Sequence, residues 1–377
     1  MSPFDVAFWS PLLSNVPGFS RGFNTAHARV KIASVPSHIT HALHIEELLR
    51  SLTTRPGADH TPTLFHYLGA QGPDLFLHNR RRRPSGLRYG AIIHRGSIGR
   101  LIGAMHDAAS ALEPPAYRSA SEFILGFAAH AVLDRACHPF INYFAGRWNP
   151  SRPESKKNRG MHSFLERLLD VEMLRALRSE TPREYDFARR LGSENDTLGV
   201  IARIVPDALA ATYRSAESDR HLADRLENAV LDSYGFYRFI NDVSPDTAAR
   251  LARRRADGSI EPLWLTVVHP PFLPDDVDFS NDRGSRWFHP CAPDIPRTES
   301  FHDVFARAVR DGIAALAGII EARETPDAAE RIHSIVGDEN LSDGGPAGAR
   351  CGEFIADPLP LRAALDRLRE RIDRETR

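Results

Sequence analysis

The spacing of the apolar residues constrains the fold most, because these residues recur with the period of an α-helix over most of the chain. The first such segment begins near Ser37, where Pro36 and Ser37 mark a helix start. No stretch alternates apolar and polar residues long enough to predict a sheet. We therefore predict an all-α, multi-helix domain whose further helical segments are 92–112, 121–145, 162–178, 186–191, 198–216, 222–241, 300–322 and 361–377.

Three connections between these helices lack the helical period and are predicted to be irregular: 71–88, 146–159 and 257–298. The last is rich in proline and aromatic residues, which predicts that it packs on the helices. We divide the chain into an N-terminal extension (1–35), a helical domain (36–322) and a turn-rich linker with a short terminal helix (323–377).

Composition excludes several classes of protein. The chain has 377 residues, of which 42% are hydrophobic and 26% charged, as in soluble globular proteins. The 48 basic and 49 acidic residues nearly cancel, so no overall field attracts nucleic acid or an anionic membrane. The sequence shows neither a signal peptide nor a run of apolar residues long enough to span a bilayer.

The three cysteines, Cys137, Cys291 and Cys351, lie far apart and form no CxxC motif. This spacing argues against a disulfide framework and fits a reducing compartment. We therefore expect a cytoplasmic protein with free thiols.

One apolar segment carries polar groups at a regular spacing. In SEFILGFAAHAVLDRACHPFINYF, His130, Asp134 and His138 are each four residues apart, so all three lie on one face of a helix. Burying such groups without partners would cost several kcal/mol. The pattern indicates a functional stripe on a core helix.

A second apolar segment, MHSFLERLLDVEML, places His162 and Glu166 four residues apart, a spacing at which both can bind one metal ion. Upstream, Asp74 lies in a Gly/Pro turn, His94 lies at a predicted helix start and His41 lies on the first helix. These are further candidate ligands.

A single His/carboxylate pair is more often a structural hydrogen bond than a metal site. Five ionisable groups on two buried helices are typical of a metal or catalytic site instead. For His41, Asp74 and His94 the residues alone leave both interpretations open. The other histidines, including His38, His78, His106 and His269, are assigned to packing or to the surface.

In their order and context these motifs resemble the zinc-dependent phospholipase C family, whose helical fold is shared with single-strand-specific zinc nucleases. The resemblance covers about residues 36–322. It rests on Thr40-His41, Gly72-Pro73-Asp74, the Gly90 to His94 segment, His130 to Pro139, and the His162 to Glu166 pair. For the third motif, His106 is a competing candidate ligand.

The resemblance implies a cluster of two to three zinc ions. The first ion would be held by Asp74, His94, His130 and Asp134, the second by His138, His162 and Glu166, and the third by His41 with Asp134. In secreted members of the family an N-terminal tryptophan also binds the third ion, whereas this chain begins Met-Ser-Pro.

Such a cluster predicts a metal-dependent hydrolase of phosphate esters, a phospholipase C-like phosphodiesterase in which Asp74 accepts a proton from water. The expected substrate is a small phosphate ester or a phospholipid. One alternative is a single-strand nuclease, because Arg80, Arg81, Arg82 and Arg83 follow Asp74 closely and are predicted to bind an anionic substrate. Another is a non-catalytic protein that binds metal or lipid. The sequence gives no oligomeric state.

Overall fold

The fold is a bundle of α-helices, as the apolar spacing predicts. We describe it from a computed structural model, in which residues 37–52, 61–241, 263–346, 351 and 354–375 are placed. The N-terminal extension assigned to 1–35 and part of the 257–298 connection lie outside these described residues. None of the described helices is long and apolar enough to cross a membrane.

The helices are α1 (His38–Leu52), α2 (Leu64–Gly69), α3 (Asp74–Leu77), α4 (Leu87–Ile93), α5 (Ile98–Ser110), α6 (Pro114–Ala145), α7 (Met161–Arg178), α8 (Pro182–Tyr185), α9 (Phe187–Arg190), α10 (Glu194–Ile201), α11 (Val205–Thr212), α12 (Arg214–Glu217), α13 (Leu222–Asn241), α14 (Phe301–Ala322), α15 (Ala328–Val336) and α16 (Leu361–Glu375). Short 3₁₀ helices lie at Pro153–Asn158 and Leu263–Thr266.

Helix α6 is the centre of the bundle. It packs against α1, α2, α5, α7 and α14, and its apolar side chains are buried on nearly every side. A helix that is apolar all round must lie in a core. Proline at its first position suits the start of a helix, where the missing N–H would have no partner. The polar stripe of α6 is therefore inside the protein.

The segment 92–112, expected as one helix, is divided between α4 and α5. Gly96 and Ser97 have positive φ values (151° and 62°), which end one helix and start the next. The break places His94 directly after α4 and not at a helix start. The expected helix 198–216 is likewise split into α10, α11 and α12.

A short antiparallel hairpin corrects the expectation that the chain contains no sheet. Strand β1 (Trp287–His289) pairs with β2 (Ala292–Arg297). β1 has only three residues, and β2 contains two prolines and no alternation of buried and exposed residues, so neither strand shows a period of two. Trp287 is fully buried and its ring meets that of Phe140, so the proline-rich connection packs on the helices as expected.

A disulfide corrects the expectation of three free thiols. Cys291, at the turn of the hairpin, is bonded to Cys351 near the C-terminus, while Cys137 is buried and free. The two partners are 60 residues apart in sequence, so no local motif could reveal them. The cysteines therefore no longer argue for a reducing compartment.

Helices α1 and α7 are joined by a buried carboxylate. Asp170 Oδ1 accepts hydrogen bonds from the Ser37 hydroxyl and from both the backbone N–H and the hydroxyl of Thr40, at 2.5 to 2.8 Å. Asp170 Oδ2 lies 2.9 Å from Nη1 of Arg167, and both side chains are fully buried. Burial opposes the charge, but Arg167 outweighs it and holds the pKa of Asp170 well below its usual range. The carboxylate thus caps α1 and neutralises a buried guanidinium.

We expect Asp170→Asn to lower the free energy of unfolding by about 3 to 5 kcal/mol, because Arg167 would stay buried without a counter-charge. Urea denaturation measures the loss. As a control, Asp224→Asn breaks an exposed pair with His221 and should cost less than about 1 kcal/mol. Equal stability of the two variants would contradict the role given to Asp170.

Candidate metal centre

Four imidazoles lie around the carboxylate of Asp134, the middle residue of the polar stripe on α6. Asp134 Oδ1 lies 3.2 Å from His41 Nε2. Its Oδ2 lies 3.1 Å from His130 Nε2 and 3.6 Å from His94 Nε2. His138 Nδ1 is also 3.6 Å from Oδ2. Helix α1, the end of α4 and two turns of α6 therefore meet at Asp134.

Asp74, the first residue of α3, joins this group from the Gly/Pro turn. Its Oδ1 lies 3.0 Å from His94 Nε2 and its Oδ2 lies 3.9 Å from His130 Nε2. Gly72 has a φ of +50°, and a Cβ atom there would lie 2.5 Å from the His130 ring. Only glycine lets the turn approach the imidazole so closely.

The second predicted group forms where α7 packs on α6. Glu166 Oε1 lies 3.1 Å from His162 Nε2 and 3.9 Å from His138 Nε2. The His138 and His162 ring centroids are 5.5 Å apart. These three side chains offer ligand atoms that lie within 4.8 Å of one another.

The predicted first group is also brought together. His94, His130 and Asp134 meet the same distance condition, and so do His41, Asp74 and His130. The His41 and His130 rings stack at 4.2 Å. His130 joins these two groups, and the 3.6 Å approach of His138 to Asp134 connects them to the third, so the eight predicted ligands form one continuous cluster.

Backbone carbonyl oxygens orient three of the imidazoles. Nδ1 of His94, His130 and His138 each faces one such oxygen, and the acceptors belong to Gly90, Ala70 and Leu341. A hydrogen bond from Nδ1 leaves Nε2 of the neutral ring as a lone-pair donor to a metal ion. In His94 and His130 that nitrogen points at the carboxylates. This is how protein metal sites fix their histidines.

Four carboxylate oxygens of the cluster lack a hydrogen-bond donor among the described residues. Both oxygens of Asp74, Oδ2 of Asp134 and Oε2 of Glu166 are buried without a hydrogen-bond partner among the described residues. Nε2 of His130 is also buried and has no hydrogen-bond partner among the described residues. Acceptors that face acceptors at about 3 Å need a proton or a cation between them. Mixed imidazole and carboxylate ligands suit zinc.

Without a metal ion, protons on the imidazoles balance the charges of the carboxylates. Burial opposes a charge on His94, but Asp134 and Asp74 outweigh it and raise the pKa of His94 to about 10. The same balance raises the pKa of His130 and, through Glu166, that of His162. The imidazoles in turn hold the pKa of Asp134 well below its usual range, against the effect of burial.

We therefore expect zinc binding to release protons, because a metal ligand must be neutral and His94 is charged below a pKa of about 10. The affinity for zinc should rise from about pH 6 to about pH 8, since fewer protons then compete. Calorimetry in buffers with different ionisation enthalpies counts the released protons. Binding without proton release, at an affinity independent of pH, would contradict this electrostatic account.

His94 and not His106 belongs to the cluster. His106 lies on α5 and is in none of the groups of metal-binding type found among the described residues. The geometry therefore favours His94 over His106 as a candidate ligand.

A fourth group was missed by the sequence, which assigned its histidines to packing. His38, Asp170 and His269 also lie within metal-binding distance of one another. However, Arg167 Nη1 lies 2.7 Å from His38 Nδ1 and 2.9 Å from Asp170. A guanidinium already supplies the positive charge, so we interpret this group as a structural network.

The tract after residue 322, which the sequence predicts to be a turn-rich linker, also contacts the cluster. The carbonyl of Leu341 accepts a hydrogen bond from Nδ1 of His138. The backbone N–H of Leu341 donates to the carbonyl of His94 at 2.8 Å. Arg135 bonds the carbonyl of Val336, close by on the same tract. The backbone of one residue, Leu341, therefore contacts two candidate ligands.

Gly344 allows this tract to lie on α6. It has a φ of +68°, and a Cβ atom there would lie 2.6 Å from the carbonyl oxygen of Arg135. We expect Gly344→Ala to displace Leu341 and lower the affinity for zinc about 10- to 100-fold. Gly345→Ala is the matched control, because its Cβ would meet only the Asp343 side chain. Zinc titration that gives the same affinity for both variants would show that Leu341 does not position His138.

The four arginines after α3 are held in an ordered loop. Asp232 Oδ2 accepts from the backbone N–H groups of Arg81 and Arg82 at 2.8 and 3.0 Å. The side chains of Arg82 and Arg83 are exposed, whereas those of Arg80 and Arg81 are partly buried. Their predicted role in binding substrate stays a prediction.

Comparison of the chain with protein-family models, curated proteins and solved structures found no significant match. The function must therefore be argued from the site itself.

Proposed function

We propose that this protein is a metal-dependent hydrolase of phosphate esters, similar to the zinc-dependent phospholipases C. One observation carries the proposal: buried carboxylates without hydrogen-bond donors meet the free nitrogens of fixed imidazoles. A purely structural network would satisfy these oxygens, as Arg167 and Thr40 do for Asp170. The unsatisfied set therefore favours a site that binds cations.

The cluster offers positions for two to three zinc ions. His138, His162 and Glu166 would hold one, and His94, His130, Asp74 and Asp134 another. His41 with Asp134 would contribute to a third. The chemistry that zinc supplies in such sites is neutralisation of phosphoryl oxygens and a lowered pKa of bound water, from about 15.7 to about 7.

Asp74 is the residue to which we assign proton transfer. Its Oδ1 lies 3.0 Å from Nε2 of His94. Its Oδ2 is held less closely, because its ion-pair partner, Nε2 of His130, is 3.9 Å away. Burial opposes ionisation, but His130 and His94 lower the pKa of Asp74, so the carboxylate is ionised at neutral pH. Oδ2 of Asp74 can therefore accept a proton from an attacking water.

The substrate would enter on the side of His162. Its side chain is 21% exposed, against 10% for His138 and 1% for Asp74. A small phosphate ester or the head group of a phospholipid can reach such an edge. A single-strand nuclease is the second candidate, because the arginine loop continues directly from α3, which begins at Asp74.

Asp134→Ala should abolish both zinc binding and hydrolysis, because it removes the carboxylate that four imidazoles share. Zinc content is measured by atomic spectroscopy. Activity is measured on 4-nitrophenyl phosphorylcholine, bis(4-nitrophenyl) phosphate and single-stranded DNA. Asp107→Ala, at an exposed position on α5, is the control and should behave as the parent protein.

The outcomes separate the proposals. Hydrolysis of DNA alone would favour the nuclease. Zinc bound at the cluster without hydrolysis of any substrate would favour a non-catalytic metal-binding or lipid-binding protein. A parent protein that binds no zinc would overturn the metal centre.

A cytoplasmic location is a proposal that the disulfide puts to the test. Cytosolic reductants keep most thiols reduced, whereas secreted proteins retain disulfides. Alkylation of Cys291 and Cys351 in freshly lysed cells reports their state. Failure of both cysteines to react, because they are joined in a disulfide, would contradict a cytoplasmic location.

A further inference from the structure

Arg80 carries a charge that no carboxylate approaches among the described residues. Its Nη2 is shielded from solvent and has no hydrogen-bond partner in that part of the chain. Burial alone accounts for the lowered pKa of Arg80. An arginine nevertheless stays charged at neutral pH. A shielded guanidinium without a counter-ion is a site at which an anion can bind.

His78 presents an unused acceptor next to this charge. Its Nδ1 lies 3.3 Å from the Ser233 hydroxyl, which itself donates to the carbonyl of Leu75 or of Ala229. With the hydroxyl hydrogen on a carbonyl, Nδ1 carries the ring hydrogen and Nε2 keeps a lone pair. Nε2 is buried and has no partner among the described residues.

The donor and the acceptor lie beside the metal centre. His78 directly follows the short helix that Asp74 begins, and its backbone N–H donates to the carbonyl of Asp74 at 3.2 Å. The backbone N–H of Arg80 donates in turn to the carbonyl of His78 at 2.7 Å. The ring is fixed by stacking on Phe236 at 4.7 Å. The loop is fixed as well, because Asp232 also accepts from the side chain of Asn79. The two groups are thus held in place without a partner.

We propose that Arg80 and His78 form a subsite for a phosphomonoester group on the substrate whose phosphodiester binds at the metal centre. The inference rests on the proposed function. A guanidinium binds two phosphate oxygens at once. The remaining hydroxyl of a singly charged phosphomonoester can donate to Nε2 of His78, so one group satisfies both residues. The preferred substrate class is then a phosphodiester with an additional phosphate, and a choline-type cation is disfavoured.

The test compares alkyl phosphates with alkanediol bisphosphates of about two to six carbons, a series that varies the spacing between the two phosphates. Calorimetry on the zinc-loaded protein gives the dissociation constants. At the best chain length we expect the bisphosphate to bind at least about tenfold more tightly than its monophosphate. Arg80→Met should remove this advantage, and Arg80→Lys, which keeps the charge but loses the fork, should reduce it.

Arg82→Met is the matched control, because it removes one charge from the same loop at a side chain that is 53% exposed. It should keep the full advantage. If no bisphosphate binds better than its monophosphate, or if both methionine variants lose the same affinity, the subsite is overturned. In that case zinc binding and hydrolysis of bis(4-nitrophenyl) phosphate by the parent would leave the proposed function intact. A parent with neither property overturns both.

Discussion

The carboxylate of Asp134 is the interaction on which the site depends. It is almost completely buried in the central helix, and imidazoles from α1, α6 and the end of α4 point toward it. A buried carboxylate is costly unless positive charge lies beside it. Protons on the imidazoles or metal ions between the ligands can provide that charge. The helices that form the core thus bury a carboxylate at its centre that needs positive charge beside it.

Two polar networks on α7, one shared with α1 and the other with α6, show how a structural charge differs from a candidate metal site. Asp170 has Arg167 as a counter-charge and hydroxyl and N–H donors for its other oxygen. Glu166, on the preceding turn of α7, has one oxygen near His162 and the other without a partner. Both networks bring histidines and carboxylates within metal-binding distance. Only the second lacks a fixed cation from the protein.

Much of the fold was predictable because helices are local structures. The apolar period located the main helices, including α6, α7 and α14, within a few residues except at the start of α6. It missed the break after His94, which depends on the backbone of two residues, and the short hairpin. It also could not reveal the bond between Cys291 and Cys351, since that pairing depends on how distant segments fold back.

By itself the sequence determined which ligands share a helix face, because positions four apart superpose in any α-helix. This fixed the stripe of His130, Asp134 and His138 and the pair on α7. Only the tertiary structure decided that Asp74, His41 and His94 join them and that Leu341 orients His138. It also showed that Arg82 lies near Asp232, whereas no carboxylate among the described residues acts on Arg80. These contacts join segments far apart in the chain, and packing sets them, whereas sequence spacing does not.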